Sequence, residues 1–260
     1  MKYSTLWITL CKNEQDVIPF VIQYWRKVAD KVLVFDNGST DNSLTLLEQE
    51  DFIEVRHFVS DGQNDYIQRD VKVNAFNEFK DQYDIIIVSD LDEVFYFDDW
   101  NTVASELIES GNNILSVPIY SLCEDDKPLY NDDKLLHQLC TKFYKQKMNH
   151  APRMENYSKH SIFNCKAING LSMSVGQHIT NVTPKNRILY SDNGFCLHID
   201  KGFGVEYKYN IRKQMNNNLS EVNRTHKLCF EYGKGFEELK EEYINNQKNS
   251  FNINEIKLGV

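Results

Sequence analysis

Basic residues are in deficit in this sequence. Lys and Arg total 29 against 38 Asp and Glu, a formal net charge of −9. A duplex nucleic-acid partner needs a basic face for its phosphates, so the balance argues against one, although a local basic patch can coexist with a negative total. Proline and glycine are scarce, 5 and 11 residues, which excludes a collagenous or low-complexity chain. The cysteines (Cys11, Cys123, Cys140, Cys165, Cys196 and Cys229) contain no CxxC pair. That spacing argues against a zinc knuckle or a dithiol redox centre and suits six reduced thiols in a cytoplasmic protein. No apolar run approaches the ~20 residues of a membrane span. The opening segment, 1–14, has a short apolar core followed by charge and lacks a small-residue cleavage site, so a first strand is expected there rather than a signal peptide. No G-x-G-x-x-G or G-x-x-x-x-G-K occurs, which disfavours nicotinamide cofactors and P-loop ATP hydrolysis. No internal repeat of solenoid period is found.

What is present is globular composition: 41% hydrophobic and 12% aromatic residues. The first 120 residues alternate strand and helix signals. Strands are expected at 6–10, 31–35, 52–58 and 83–88. Helices are expected at 14–29, with Asn13 as N-cap, at about 42–48, and at 66–79. The continuously apolar Ile85–Val88 suits a strand covered on both faces. This order predicts an α/β fold, a mostly parallel sheet flanked by helices, with right-handed crossovers. Ligands of such sheets bind at the carboxyl ends of the strands, which directs attention to residues 9–14, 36–41 and 89–93. A helix at 98–110 and a strand at 114–120 follow. Short strands are then expected at 139–144, 161–165 and 195–199, and helices at 203–217 and 235–247. The expected organisation is a domain over 1–200, its halves meeting near 120, and a C-terminal helical extension over 201–260.

Chemistry concentrates in Ser89-Asp90-Leu91-Asp92-Glu93, directly after a buried strand. Carboxylates this close repel unless a cation joins them. Mg²⁺ and Mn²⁺ take oxygen ligands and often bridge a carboxylate to substrate phosphates. On an extended segment Asp90 and Asp92 would point the same way. After the second strand, Asp36-Asn37-Gly38-Ser39-Thr40-Asp41 reads equally as a turn, where these residue types are favoured, and as a site where Asp36 accepts from a base or ribose.

These motifs, in this order and spacing, resemble the family-two-like glycosyltransferases of GT-A fold. The likeness rests on Lys12-Asn13-Glu14, Trp25, the Asp36–Asp41 segment and Asp90-Leu91-Asp92-Glu93-Val94-Phe95, where Val94 interrupts the family's usual DEF. It is strong over 4–97 and weaker to about 245. The resemblance implies a nucleotide-sugar site lined by Thr9, Cys11, Glu14, Asp36, Gln68, Arg69 and Asp90. It implies a metal, Mn²⁺ or Mg²⁺, on Asp90 and Asp92, with Glu93 reaching toward metal or sugar. Segments similar to later family elements place His178 in the substrate site and His198 as an imidazole metal ligand. Ile199-Asp200 departs from the family's usual tyrosine.

The implied reaction is inverting transfer from a nucleotide-diphosphate sugar, a UDP-sugar being expected, to a hydroxyl acceptor, most simply a surface-glycan precursor. Inversion needs one carboxylate base on the acceptor side. Glu124, Asp125, Asp126 and Asp192 are candidates, with Asp125 chosen. Lys142, Lys145, Lys147, Arg153, Arg187, Lys208, Arg212 and Lys213 are expected mostly on an exposed face, or else steadying the diphosphate. Peripheral membrane contact remains open. The rival readings are a nucleotidyltransferase, which the absent Gly/Arg/Lys-rich first loop disfavours, and a non-catalytic binding module, which the intact carboxylates disfavour.

Overall fold

The computed structural model describes residues 3–145, 160–177 and 180–253. In chain order the first half runs β1 (Thr5–Cys11), α1 (Ile18–Val28), β2 (Lys31–Asp36), α2 (Ser43–Leu47), β3 (Ile53–His57), α3 (Asp65–Phe79), β4 (Ile85–Val88), β5 (Glu93–Phe97) and α4 (Trp100–Glu109). The second half runs β6 (Ile114–Ser116), β7 (Ile119–Leu122), α5 (Leu136–Leu139), β8 (Phe143–Lys145), β9 (Ile162–Asn164), β10 (Gly170–Met173), β11 (Thr180–Thr183), β12 (Ile188–Tyr190), β13 (Gly194–His198), α6 (Val205–Asn217), α7 (Glu221–Thr225) and α8 (Phe236–Lys248).

The main sheet has seven strands in the order β12-β6-β9-β4-β1-β2-β3. Its strands pair in parallel except β9, which is antiparallel to both β4 and β6. All four residues of β4 are fully buried at the middle of this sheet. Side chains alternate across β1: Trp7 joins the core under α1, while Leu6 and Ile8 join the core under α3. Trp7 packs at 5.9 Å from both Trp25 and Phe95, and Phe76 of α3 lies 5.4 Å from Phe163. Each such side chain taken from water stabilises the fold by roughly 1.5–3 kcal/mol. A second sheet, β5-β13-β7-β8, stands against the carboxyl side of the first. Its strand β13 is antiparallel to β5 and parallel to β7.

The parallel α/β core is as the sequence implies. Three local expectations change. The first helix begins at Ile18, not 14, because Asn13 is left-handed (φ +55°) and its side chain accepts the Thr40 N–H instead of capping. The expected strand at 114–120 is two strands in different sheets, broken where Pro118 lacks an N–H to donate. The expected strand at 139–144 starts inside α5, and pairing begins only at Phe143. No helix among the described residues is long and apolar enough to cross a membrane.

Candidate active site

The site is built at the carboxyl edge of β1 and β4. After β4 the chain does not stay extended. Glu93 N–H donates to Asp90 O at 3.0 Å, closing a turn over 90–93 with Leu91 tucked into the core. The Ser89 hydroxyl locks it, accepting from Trp7 Nε1 at 2.9 Å and donating to Asp90 O at 3.0 Å. The expectation that Asp90 and Asp92 share a direction is therefore corrected, since period-two alternation needs an extended strand. Asp90 turns to α3, where the buried Lys72 Nζ lies 2.5 Å from Oδ1. Asp92 turns to the end of β13, 3.9 Å from His198 Nε2 and 3.6 Å from Lys201 Nζ. Glu93 starts β5, is almost fully buried, and accepts the Asp90 N–H at 3.4 Å.

The loops after β1 and β2 zip together. Asn13 N–H donates to Ser39 Oγ at 2.9 Å and Glu14 N–H to Ser43 Oγ at 2.8 Å. The Asp36 carboxylate accepts the N–H groups of Gly38 at 2.8 Å and Ser39 at 3.1 Å, a tight turn that uses glycine at φ +69°. Thr9, Cys11 and Asp36 are buried beneath this edge, so their side chains offer a nucleotide no accessible surface. Burial also pushes the Cys11 thiol up to about 12, against the opposing Ser39 hydrogen bond. The Asp36 carboxylate also lies 3.5 Å from His57 Nδ1 at the end of β3.

The third wall is the loop after β13. Ile199 N–H donates to Asp92 O at 2.8 Å, joining it to the acidic turn. Asp200 and Lys201 both adopt left-handed backbone, φ +46° and +55°. Asp200 is gripped from α6 by Lys208 at 2.6 Å and Arg212 at 3.3 Å, one helical turn apart on one face. Burial raises the Asp200 carboxyl, but Lys208, His198 and Arg212 outweigh it and hold the group well below the usual carboxylate range. Lys201 Nζ reaches both oxygens of Glu14 at 2.5 Å. Burial alone would lower the Lys201 pKa, but Glu14 and Asp92 overturn that, so the ammonium keeps its proton. Burial, with Asp92 adding, lifts the Glu14 carboxyl against the pull of Lys201. Tyr243 of α8 anchors the loop: its hydroxyl lies 2.5 Å from Glu124 O and 3.0 Å from Gly202 O, and accepts the Gly204 N–H at 3.1 Å.

The fold thus brings Glu14, Asp90, Asp92, Glu93 and His198 to one edge. Gln68 and Arg69 lie half-buried on α3, Arg69 bonded to Asp70 at 2.8 Å and stacked 5.4 Å from the Tyr66 ring. Asp125 points elsewhere. Its exposed carboxylate pairs with Lys142 and accepts from Gln247 at 2.9 Å, and these hold it below its ordinary pKa, Lys142 first. Glu124 accepts the N–H groups of Thr141 and Lys142. Among the basic residues, Lys208 is buried, contrary to the exposed face expected of it. His178, Lys147 and Arg153 lie outside the described residues. Sequence reasoning missed Lys72 and Lys201. Lys72 is signalled by its place one turn after Gln68 on the same face of α3. For Lys201 the only local signal is adjacency to His198.

The chemistry of the donor set fits a divalent cation. Asp92, in the turn before β5, and His198, at the end of the neighbouring β13, present an oxygen and a nitrogen to each other. No group of three or more His, Cys, Asp or Glu side chains among the described residues makes a closed cage. A two-donor face is what an ion shared with substrate phosphates requires.

No protein-family model matches this sequence, and no curated protein matches it. Solved structures do share its architecture. The structure of S. aureus TarS superposes with a TM-score of 0.50 at 13% identity, covering 99% of this chain and 46% of that one, so the chain spans about half of TarS. TarS 1–349 in complex with UDP-GlcNAc gives 0.49 at 13% identity, over 86% of this chain and 70% of that one. GalNAc-T7 with UDP, GalNAc and Mn²⁺ gives 0.45 at 10% identity, over 92% and 56%. The superposition on TarS shows a shared fold: this chain carries a GT-A-type α/β fold.

Proposed function

We propose that this protein is an inverting, divalent-metal-dependent glycosyltransferase that moves a sugar from a uridine diphosphate donor to a hydroxyl acceptor, a surface-glycan precursor being the simplest. The observation that carries this reading is the convergence of Glu14, Asp92, His198 and Lys201 in one cluster at the carboxyl edge of a parallel α/β sheet. In this reading Asp92 and His198 hold the ion, which would neutralise charge on the departing diphosphate. Asp90, fixed by Lys72, faces the ribose, with Gln68 and Arg69 along the same helix. Glu93 holds the turn that aims both aspartates. Thr9, Cys11 and Asp36 act from below, by fixing the loops on which the nucleotide lies. The acceptor hydroxyl attacks the anomeric carbon as the bond from that carbon to the diphosphate oxygen breaks. The bonding pair leaves with the diphosphate, and the hydroxyl proton passes to a carboxylate base on the acceptor side, for which Glu124, Asp126 and Asp192 are the remaining candidates. No base role is proposed for Asp125, whose carboxylate is engaged by Lys142 and Gln247.

The test is a panel of nucleotide-diphosphate sugars with Mn²⁺, followed by nuclear magnetic resonance at the anomeric proton. The expected result is turnover of a UDP-sugar with inverted configuration, lost in Asp92→Asn. Retained configuration, or turnover only of a nucleoside triphosphate with a sugar phosphate, would overturn the reading.

A further inference from the structure

Lysine is rarely buried, and then only when paired. Lys201 is 7% exposed, yet its ammonium is shared between Glu14, at 2.5 Å from both oxygens, and Asp92, at 3.6 Å. Its backbone is held left-handed (φ +55°), a conformation that is unfavourable for a lysine. Such strain persists only where the surroundings over-determine it. Here they do: Asp200 is clamped by Lys208 and Arg212, and Gly202 is wedged so that a Cβ would lie 2.1 Å from Leu122 O. A lysine with only a packing role could point to solvent without that cost. This one is aimed between the loop after β1 and the acidic turn after β4, where the two strands open toward a ligand.

We propose that Lys201 is a ligand of the donor's diphosphate, and that Glu14 stores its ammonium in the empty protein and yields it to a phosphate oxygen when the nucleotide binds. The proposal rests on the nucleotide-sugar reading above and adds a residue and an exchange to it. A compact ammonium with three donors suits a diphosphate oxygen as a point charge. Glu14 keeps that charge buried without loss, since a carboxylate partner satisfies two of the three donors. The exchange gives opposite signs to two neighbouring substitutions. Removing Glu14's charge leaves Lys201 unshared and tightens diphosphate binding. Removing Lys201 weakens it.

The experiment is calorimetric titration of UDP, in chelator, into wild type, Glu14→Gln, Lys201→Met and the double variant, with folding checked by thermal midpoint. Lys201→Met alone leaves Glu14 buried without its cation and can lose stability for that reason. The double variant removes both charges together and avoids this. The expected result is UDP binding tightened several-fold by Glu14→Gln and weakened at least tenfold on going from Glu14→Gln to the double variant. Equal affinities for those two proteins would show that Glu14 acts only by repulsion and would overturn the proposal while leaving the donor reading intact. Absence of UDP binding by wild type and Glu14→Gln, with Mn²⁺ restored, would overturn both.

Discussion

The acidic turn ends in two aspartates with two different kinds of partner. Asp90 faces Lys72, which rises from the middle of a regular helix with no backbone strain, and the pair closes at 2.5 Å. Asp92 faces His198, the last residue of β13, at 3.9 Å and Lys201, on a loop held in left-handed backbone, at 3.6 Å, and Lys201 is shared with Glu14. A carboxylate closed onto one helical cation is a fixed support. A carboxylate with two looser partners, one of them on a strained loop, is available for exchange. On the function proposed above, the contrast would give Asp90 the positioning role and Asp92 the reacting role, and it can be broken at several points.

The largest effect is expected at Asp92 itself. Asp92→Asn keeps the shape and loses the charge that His198 and Lys201 face. The expected loss in kcat is about 10³-fold, or about 4 kcal/mol at 1.36 kcal/mol per decade, measured with saturating donor. Asp90→Asn, by contrast, should raise KM more than it lowers kcat. Equal losses in kcat for the two variants would abolish the distinction. Next comes the wedge. Gly202→Ala places a Cβ against the Leu122 carbonyl at 2.1 Å, a backbone atom that cannot swing aside. Destabilisation of about 3 kcal/mol is expected by denaturant titration. Gly170→Ala, where nothing lies within 4 Å, serves as the control and should change stability by less than about 1 kcal/mol.

These positions also measure how far the sequence could be read. The parallel core was legible because each strand and helix signals itself locally: the unbroken Ile85–Val88 and the period of α1. So were the candidate edges, since strand ends follow from the same pattern. The direction of Asp90 and Asp92 was not. It depends on a turn whose lock, Trp7 to Ser89, spans 82 residues of sequence. Lys201 was not legible either. Its role depends on Glu14, 187 residues away, and on left-handed backbone that no residue type there announces. Asp36 shows the converse: a buried motif residue whose carboxylate accepts the N–H groups of its own turn and lies 3.5 Å from His57 of β3. Motif recognition finds which residues arrive at an edge, and packing decides which of them lie under it.

The packing of α5 on the second sheet offers a pH test of the same division between support and site. His137 sits among aromatic rings, 4.5 Å from Tyr96 and 5.5 Å from Phe195. Burial, with Lys27 adding, lowers its pKa to about 4. The unfolded chain protonates it near the ordinary 6.5, so its neutral form contributes stability that is complete above that value and is lost as pH falls toward about 4. A loss of about 3 kcal/mol across that window is expected. His137→Phe should flatten it. An unchanged slope in that variant would place the acid sensitivity at the site edge instead.

Lys72→Met tests the supporting pair directly. Asp90 is 42% exposed, so water can solvate the carboxylate that the lysine leaves behind. A stability loss of about 1 kcal/mol and a kcat loss of about tenfold are expected. A loss approaching that of Asp92→Asn would make Lys72 part of the reacting group rather than its support.

The smallest effect is expected at Asp125. Its ion pair with Lys142 is exposed, and such pairs contribute at most about 1 kcal/mol. Asp125→Asn keeps an acceptor for Gln247 and loses only the charge, so stability should fall by a few tenths of a kcal/mol and kcat by less than tenfold. A base on the acceptor side behaves differently: its amide variant loses 10² or more in kcat together with the acidic limb of the pH profile. Should Asp125→Asn show that signature, Lys142 and Gln247 must release the carboxylate when acceptor binds, and the loop over 124–126, hydrogen-bonded to Gly202, would become a second place where this edge exchanges partners.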